Sequence, residues 1–229
     1  EHFSITTLDY DNNQPQETIQ THHYTNGLLT SQGGGYDYSN YFYDSQRNLI
    51  AMNYGDDTNN YLYLRFVTVS PTVSYTEILT LPYDNPATQI SRRIILEFDA
   101  NNNVIEAGDD SNFDGVMDAV NQFTYDGNGN LVHAQGFSGV SYDYEYASVV
   151  NNFSVIEDNT YGKKERRLIS ANYYAEIGST PAFHSRNILQ SNFEGAEYDV
   201  LSNGLFKREY REFFSGFANS ITTTTFFFE

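Results

Sequence analysis

Apolar and polar residues alternate with a period of two along most of this chain. Tyr36 and Tyr38, then Tyr41 and Tyr43, stand two apart, as do Ile94, Leu96 and Phe98, and again Phe123 and Tyr125. On a strand, that spacing puts every second side chain on the same face, so one face is buried and the other wetted. This is the signature of antiparallel sheets. The segments Tyr61 to Val67 and Glu77 to Leu81 are denser in apolar residues, which predicts strands covered on both faces. Tyr142 to Tyr146 and Phe153 to Ile156 predict further strands. Helical periodicity is nearly absent. Thr180 to Leu189 offers a short helix, with Thr180 as cap and Pro181 at its first position, or equally an irregular crossover.

Between the alternating stretches a turn signature recurs. Tyr43-Asp44-Ser45-Gln46-Arg47-Asn48-Leu49-Ile50 is the first copy and Phe98-Asp99-Ala100-Asn101-Asn102-Asn103-Val104-Ile105 the second. Tyr125-Asp126-Gly127-Asn128-Gly129-Asn130-Leu131-Val132 is the third and cleanest, and Tyr198 to Phe206 is a degenerate fourth with one inserted glycine. Each reads aromatic, Asp, three turn formers, Asn, then apolar residues. Asp bonds the backbone two residues on, while Asn and Gly tolerate positive φ, so each copy predicts strand, reversal, strand. The second and third copies lie 27 residues apart and the first and second 55, about twice that. Two strands and two turns fit such a period. Tyr24-Thr25-Asn26-Gly27-Leu28-Leu29 is a weaker relative.

The expected fold is therefore all-β: a large curved antiparallel meander of hairpins, open and barrel-like or a single sheet, with little helix. No linker rich in Pro, Gly or Ser interrupts it, so one domain over residues 1–229 is expected, with the polar residues 1–21 loosely attached.

Composition sharpens this picture. Twenty tyrosines and 17 phenylalanines with no tryptophan form a strand-favouring aromatic set. There is no cysteine, hence no disulfide framework and no cysteine nucleophile. Thirty acidic against 12 basic residues give a net charge of −18, which repels phosphate backbones and argues against nucleic-acid partners. No stretch approaches the roughly 18 apolar residues of a membrane helix. The mean hydropathy of −0.53 argues against a membrane barrel, although Thr222 to Glu229 faintly resembles the aromatic end of one. Glu1 stands first instead of Met, which predicts a processed or trimmed chain.

The Tyr-Asp-x-x-Gly-Asn-Leu signature resembles the YD repeats of RHS-type bacterial surface proteins. A few such hairpins followed by an alternating terminal strand also resemble a family of uncharacterised secreted bacterial lipoproteins with a porin-like, curved β-meander fold. The likeness covers residues 36–229 loosely, and Tyr125 to Leu131 alone fits the consensus fully; Arg47 and Asn102 stand where it has glycine. The resemblance implies a fold and a location, namely extracellular, periplasmic or anchored to the outer membrane. It implies no activity.

The strongest chemical signal is Asp110-Ser111-Asn112-Phe113-Asp114-Gly115-Val116-Met117-Asp118. Oxygens at positions one, three and five of such a loop converge on one cation, glycine at six makes the sharp turn, a backbone carbonyl serves at seven, and position nine ligates directly or through water. Asp110, Asn112, Asp114 and Asp118 with the Val116 carbonyl form an oxygen set suited to Ca²⁺. Asn121 stands where an EF-hand carries its bidentate Glu, and a strand is expected to follow, which predicts weak affinity, about 10⁻⁴ to 10⁻³ M. The alternative is a solvated acidic hairpin loop.

Other candidates are weaker. His22 and His23 are adjacent and point to opposite faces of a strand, so they cannot share a metal. Gly136-Phe137-Ser138-Gly139 lacks the spacing of a nucleophile elbow. Lys163-Lys164-Glu165-Arg166-Arg167 reads as a hairpin tip or a gatekeeper beside Leu168-Ile169, more than as a docking spot. The tyrosines read as cross-strand ladders before they read as sugar platforms. The functional expectation is a non-enzymatic exported or cell-surface β-repeat module, a scaffold or binding surface for an unknown surface partner or glycan. It is expected to be monomeric and steadied by calcium. The alternative is a carbohydrate-active enzyme or glycan-binding protein using carboxylates and tyrosines in a sheet concavity.

Overall fold

A computed structural model of the chain describes residues 2–11, 14–34, 37–56, 59–176, 184–189, 197–200, 206–214 and 217–225. The protein is a mostly antiparallel β-meander with little helix, as the alternation predicts. Two compact units divide it: Glu1–Asn40, Gly55–Asn59 and Asn192–Glu229 form the first, and Tyr41–Tyr54 with Asn60–Ser191 the second.

The first unit contains strands β1 (His2–Asp11), β2 (Gln14–Thr25) and β3 (Leu28–Gly34), and most of β4 (Asp37–Tyr43). The second unit contains most of β5 (Leu49–Asp56), then β6 (Asn60–Thr68), β7 (Val73–Leu79), β8 (Ile90–Phe98), β9 (Val104–Asp109), β10 (Ala119–Tyr125), β11 (Leu131–Gln135) and β12 (Ser141–Asp143). It continues through β13 (Tyr146–Val150), three helices, α1 (Asn152–Tyr161), α2 (Lys163–Ile169) and α3 (Ala171–Ala175), and β14 (Asn187–Leu189). The chain then supplies β15 (Glu197–Val200), β16 (Phe206–Phe214) and β17 (Phe217–Thr225) to the first unit.

In the first unit β1 pairs with both β2 and β17, and β16 pairs with both β15 and β17, all antiparallel. The weak signature at Tyr24 to Leu29 is a two-residue hairpin: Thr25 pairs with Leu28 across Asn26 and Gly27, both at positive φ. The flanks of the degenerate fourth copy pair as β15 and β16, with Val200 opposite Phe206; its turn, residues 201–205, lies outside the described residues.

In the second unit β6 to β12 run in sequence order, each antiparallel to the next. The three full copies of the turn signature fold alike. Asp44 Oδ1 accepts from the amides of Gln46 and Asn48, and Oδ2 from Asn48 Nδ2. Asp99 and Asp126 repeat this with Asn101 and Asn103, and with Asn128 and Asn130. The fourth turn position takes left-handed backbone each time, at Arg47 (φ 71), Asn102 (φ 58) and Gly129 (φ 85). The Asp is thus a clasp that closes the turn on its own partner Asn. A further turn stands between the first two copies, where Ser70 Oγ accepts from the amides of Thr72 and Val73. Serine replaces Asp there, which is why the 55-residue gap hides a repeat from sequence inspection.

Turns of a meander alternate between its two ends. The clasped turns and the Ser70 turn therefore share one end of the second unit. The loops after β7, β9 and β11 share the other.

The helices correct the sequence reading. Phe153 to Ile156, expected as a strand, lies in α1, and Lys163 to Arg167, expected as a hairpin tip, forms most of α2. Asn151 caps α1 by accepting from the Ser154 amide, a local signal of helix start. The rest is tertiary. Thr76 Oγ1 donates to the Leu168 carbonyl at 2.8 Å, and Asn121 Nδ2 donates to the carbonyls of Tyr174 and Ala175 at 2.9 and 2.7 Å. These bonds satisfy carbonyls that a short helix leaves open at its end. They also fasten the helices to the face carrying Ile94, Leu96, Ala107 and Phe123, all buried. Tyr142 to Tyr146 is no single strand: β12 ends at Asp143 and β13 begins at Tyr146. For the expected helix, Thr180 to Phe183 lie outside the described residues, and Asn187–Leu189 is the strand β14.

Candidate functional site

The acidic loop joins β9 to β10, at the end opposite the clasps. Asp110 sits at its entrance with no exposed surface. Its Oδ1 accepts from the Asp114 amide at 3.0 Å, and its Oδ2 from the Gly115 amide at 3.0 Å. Asp114 Oδ1 accepts from the Val116 amide at 2.9 Å, and Asp118 Oδ2 from the Ser111 amide at 2.7 Å. Asn112 Oδ1 accepts from the Asp114 amide, and its Nδ2 donates to Asp114 Oδ2. The side chains of Asp110, Asn112, Asp114 and Asp118 are thereby gathered into one network of backbone amides. Gly115, at the position that needs the sharp turn, has φ +87. Val116 joins through its amide and is 63% exposed. The loop fills the whole connection: β9 runs to Asp109 and β10 begins at Ala119.

Arg93 is the residue that sequence reasoning missed. Its Nη1 donates to Asp110 Oδ2 at 3.0 Å and to the Phe113 carbonyl at 3.3 Å. On its other side it pairs with Glu77 Oε1, and Arg65 pairs with Glu77 Oε2 at 2.5 Å. Arg65, Glu77 and Arg93 are direct cross-strand neighbours on β6, β7 and β8, so the row follows from register alone. The guanidinium of Arg93 also lies 5.0 Å from the Tyr75 ring centroid and 5.3 Å from that of Phe113. Burial by itself would lower its pKa; the bonds to Asp110 and Glu77 outweigh that and hold it above the usual arginine range. Arg93 therefore neutralises the innermost carboxylate of the loop. Asp114 and Asp118 pair with no cationic side chain among the described residues.

A second polar cluster lies under the helices. Arg166 and Arg167 are buried and share Asp158, at 3.0 and 2.8 Å, and Arg166 also pairs with Glu157. Arg167 donates to the His184 carbonyl at 3.0 Å, and the Tyr174 hydroxyl meets His184 Nδ1 at 2.8 Å. Desolvation, with both guanidinium groups nearby, holds His184 well below the usual imidazole range. Desolvation pushes Glu157 up to about 7 against the pull of Arg166. These groups fasten α1, α2 and the segment before β14 to one another. Their hydrogen bonds run to one another and to neighbouring backbone, which suits structural glue.

Fold and site together define a mostly antiparallel β-hairpin meander whose second unit has one clasped end and one acidic, loop-bearing end. No protein-family model and no characterised protein matches the chain. No helix among the described residues is long and apolar enough to cross a membrane, which leaves membrane strands unaddressed.

Proposed function

We propose that this chain is a non-enzymatic, exported or cell-surface β-hairpin module that presents a binding surface and is steadied by Ca²⁺ in the loop Asp110–Asp118. The observation that carries the reading is the contrast between the two ends of the second unit. One end is closed by repeated Asp–Asn clasps. The other carries a loop whose outer carboxylates, Asp114 and Asp118, take only amide donors among the described residues. A rigid frame with a loop whose outer carboxylates take no counter-charge from the described residues suits a hard divalent cation supplied by the surroundings. Millimolar Ca²⁺ is an extracellular condition, so weak affinity and an exported location belong together. The net charge of −18 and the resemblance to YD repeats support the same location. Asp110, Asn112, Asp114 and Asp118 would supply side-chain oxygens and Val116 its carbonyl.

Intact cells that make the protein should bind an antibody raised against the purified chain, and external protease should remove that signal. A signal that appears only after lysis, with none in the periplasm, would overturn the location and with it the functional reading.

A further inference from the structure

Two lysines open α2, and they are placed differently. Lys164 is tied to the clasped end of the sheet: its Nζ donates to the Pro71 carbonyl at 3.2 Å and lies 5.0 Å from the Phe98 ring centroid. Lys163 is half-buried, and its amine makes no ion pair and no hydrogen bond among the described residues. Burial first, and then the Arg167 guanidinium, pull it below the usual lysine range against the opposing pull of Asp158 and Asp99. A desolvated amine beside another cation is an activated nucleophile.

Two buried polar atoms of the same region also lack partners among the described residues. Asn103 is 4% exposed; its amide and its Nδ2 close the second clasp, but its Oδ1 accepts nothing. In the third clasp the equivalent atom, Asn130 Oδ1, accepts from the Asn187 amide at 2.7 Å. The Tyr125 hydroxyl is the other open atom. It lies beside the Tyr174 hydroxyl without a hydrogen bond of full geometry, and Tyr174 is already engaged by His184. Continuing the β9–β10 register past Glu106 and Gln122 brings Tyr125 beside the turn that carries Asn103. Arg167 and Asp99 are electrostatic neighbours of Lys163 and of Tyr125 alike, so amine and hydroxyl belong to one region. Burial pushes the Tyr125 hydroxyl well above the usual tyrosine range, so it keeps its proton. Polar atoms left open inside a protein are costly, and a ligand that bonds them offsets that cost.

We propose that Lys163, Tyr125 and Asn103 form a site that captures small neutral aldehydes as a reversible imine. The Lys163 amine adds to the carbonyl carbon, and the Tyr125 hydroxyl donates to the carbonyl oxygen. Asn103 Oδ1 accepts an N–H of the amine and so orients its lone pair. The carbonyl oxygen then leaves as water with both amine hydrogens, and a C=N bond replaces the C=O bond. Nothing is oxidised or reduced, and Tyr125 recovers its proton from the nitrogen. The net charge of −18 disfavours anionic carbonyl compounds, hence a neutral ligand. Capture without turnover is binding, so the site stands beside the proposed function and does not depend on the calcium loop.

The test treats the whole chain with benzaldehyde and cyanoborohydride at neutral pH and reads the labelled lysines by tandem mass spectrometry. The chain has three lysines, Lys163, Lys164 and Lys207, so every molecule carries its own standards. Lys163 should label fastest. Tyr125→Phe should slow Lys163 about a hundredfold, the low end of what one positioned proton donor supplies, and leave Lys164 and Lys207 unchanged. That variant removes one unpartnered hydroxyl and keeps the ring, so it should fold, and matched melting curves check that it does. The native comparison needs no variant: Lys163 labelling no faster than Lys164 overturns the site. Fast Lys163 labelling that Tyr125→Phe leaves untouched overturns it too, because partial burial of the amine then explains the rate.

Discussion

Arg93 Nη1 lies 3.0 Å from Oδ2 of Asp110, and that carboxylate has no exposed surface. The same guanidinium holds Glu77, whose side chain is 2% exposed. Arg93→Ala therefore removes the cationic partner of buried Asp110, which keeps its two amide donors, and one of the two cationic partners of buried Glu77, which keeps Arg65. A loss of about 3–5 kcal/mol is expected by urea unfolding. Arg93→Lys should recover little of it, since one ammonium cannot face Glu77, Asp110 and the Phe113 carbonyl at once.

The clasps make a positional prediction. Asp126→Ala removes three hydrogen bonds to one carboxylate and should cost about 2 kcal/mol. Gly129→Asn should be tolerated, because Asn102 occupies the same turn position at φ 58. Gly129→Val should cost about 1 kcal/mol or more, since a branched side chain resists left-handed backbone. Equal melting temperatures for the Asn and Val variants would contradict the clasp geometry.

Gly108 is needed for another reason. A Cβ there would lie 2.1 Å from the Ala119 carbonyl oxygen, across the β9–β10 pair that carries the acidic loop. Gly108→Ala must push the strands apart, at about 2 kcal/mol. Hydrogen exchange should localise the damage to residues 104–125, and undisturbed protection there would count against this register.

The helix cluster sets two opposed pH dependences. Glu157 is raised from its ordinary value of 4.5 to about 7, so its contribution is present below 4.5 and lost as pH rises through 7. His184 is held below its ordinary 6.5, so its contribution is present above 6.5 and lost as pH falls. Between these values the two slopes, each near 1.4 kcal/mol per pH unit at most, work against each other. Glu157→Gln should expose the histidine slope, with stability falling from pH 6.5 to 5. His184→Asn should expose the opposite slope. Denaturant titrations at pH 5, 6 and 7 read both, and identical profiles for the two variants would refute the assignment.

Much of the frame was legible in the sequence because period-two alternation and turn chemistry are local. The Asp-x-x-x-Asn turns folded as read, and Gly115 and Gly129 took the positive φ expected of them. The Ser70 turn escaped because its oxygen comes from a different residue type. The helices escaped because nothing periodic marks them: they are held by Thr76, Asn121 and the Arg166–Arg167 cluster, all distant in sequence. A basic run on paper looks like a solvated tip, and only the fold brings Asp158 and Glu157 to it. The acidic loop was legible as a loop, but its inner counter-charge was not, since Arg93 reaches it from a strand 17 residues away.

The most direct test is a thermal melt of the whole chain in chelator and again in millimolar Ca²⁺, with Asp114→Ala alongside. Calcium should stabilise the native chain by about 1.4 kcal/mol at ten times Kd. Asp114→Ala should lose most of that gain while melting close to the native chain in chelator. Identical native curves in both buffers would contradict a calcium-steadied loop at Asp110 to Asp118.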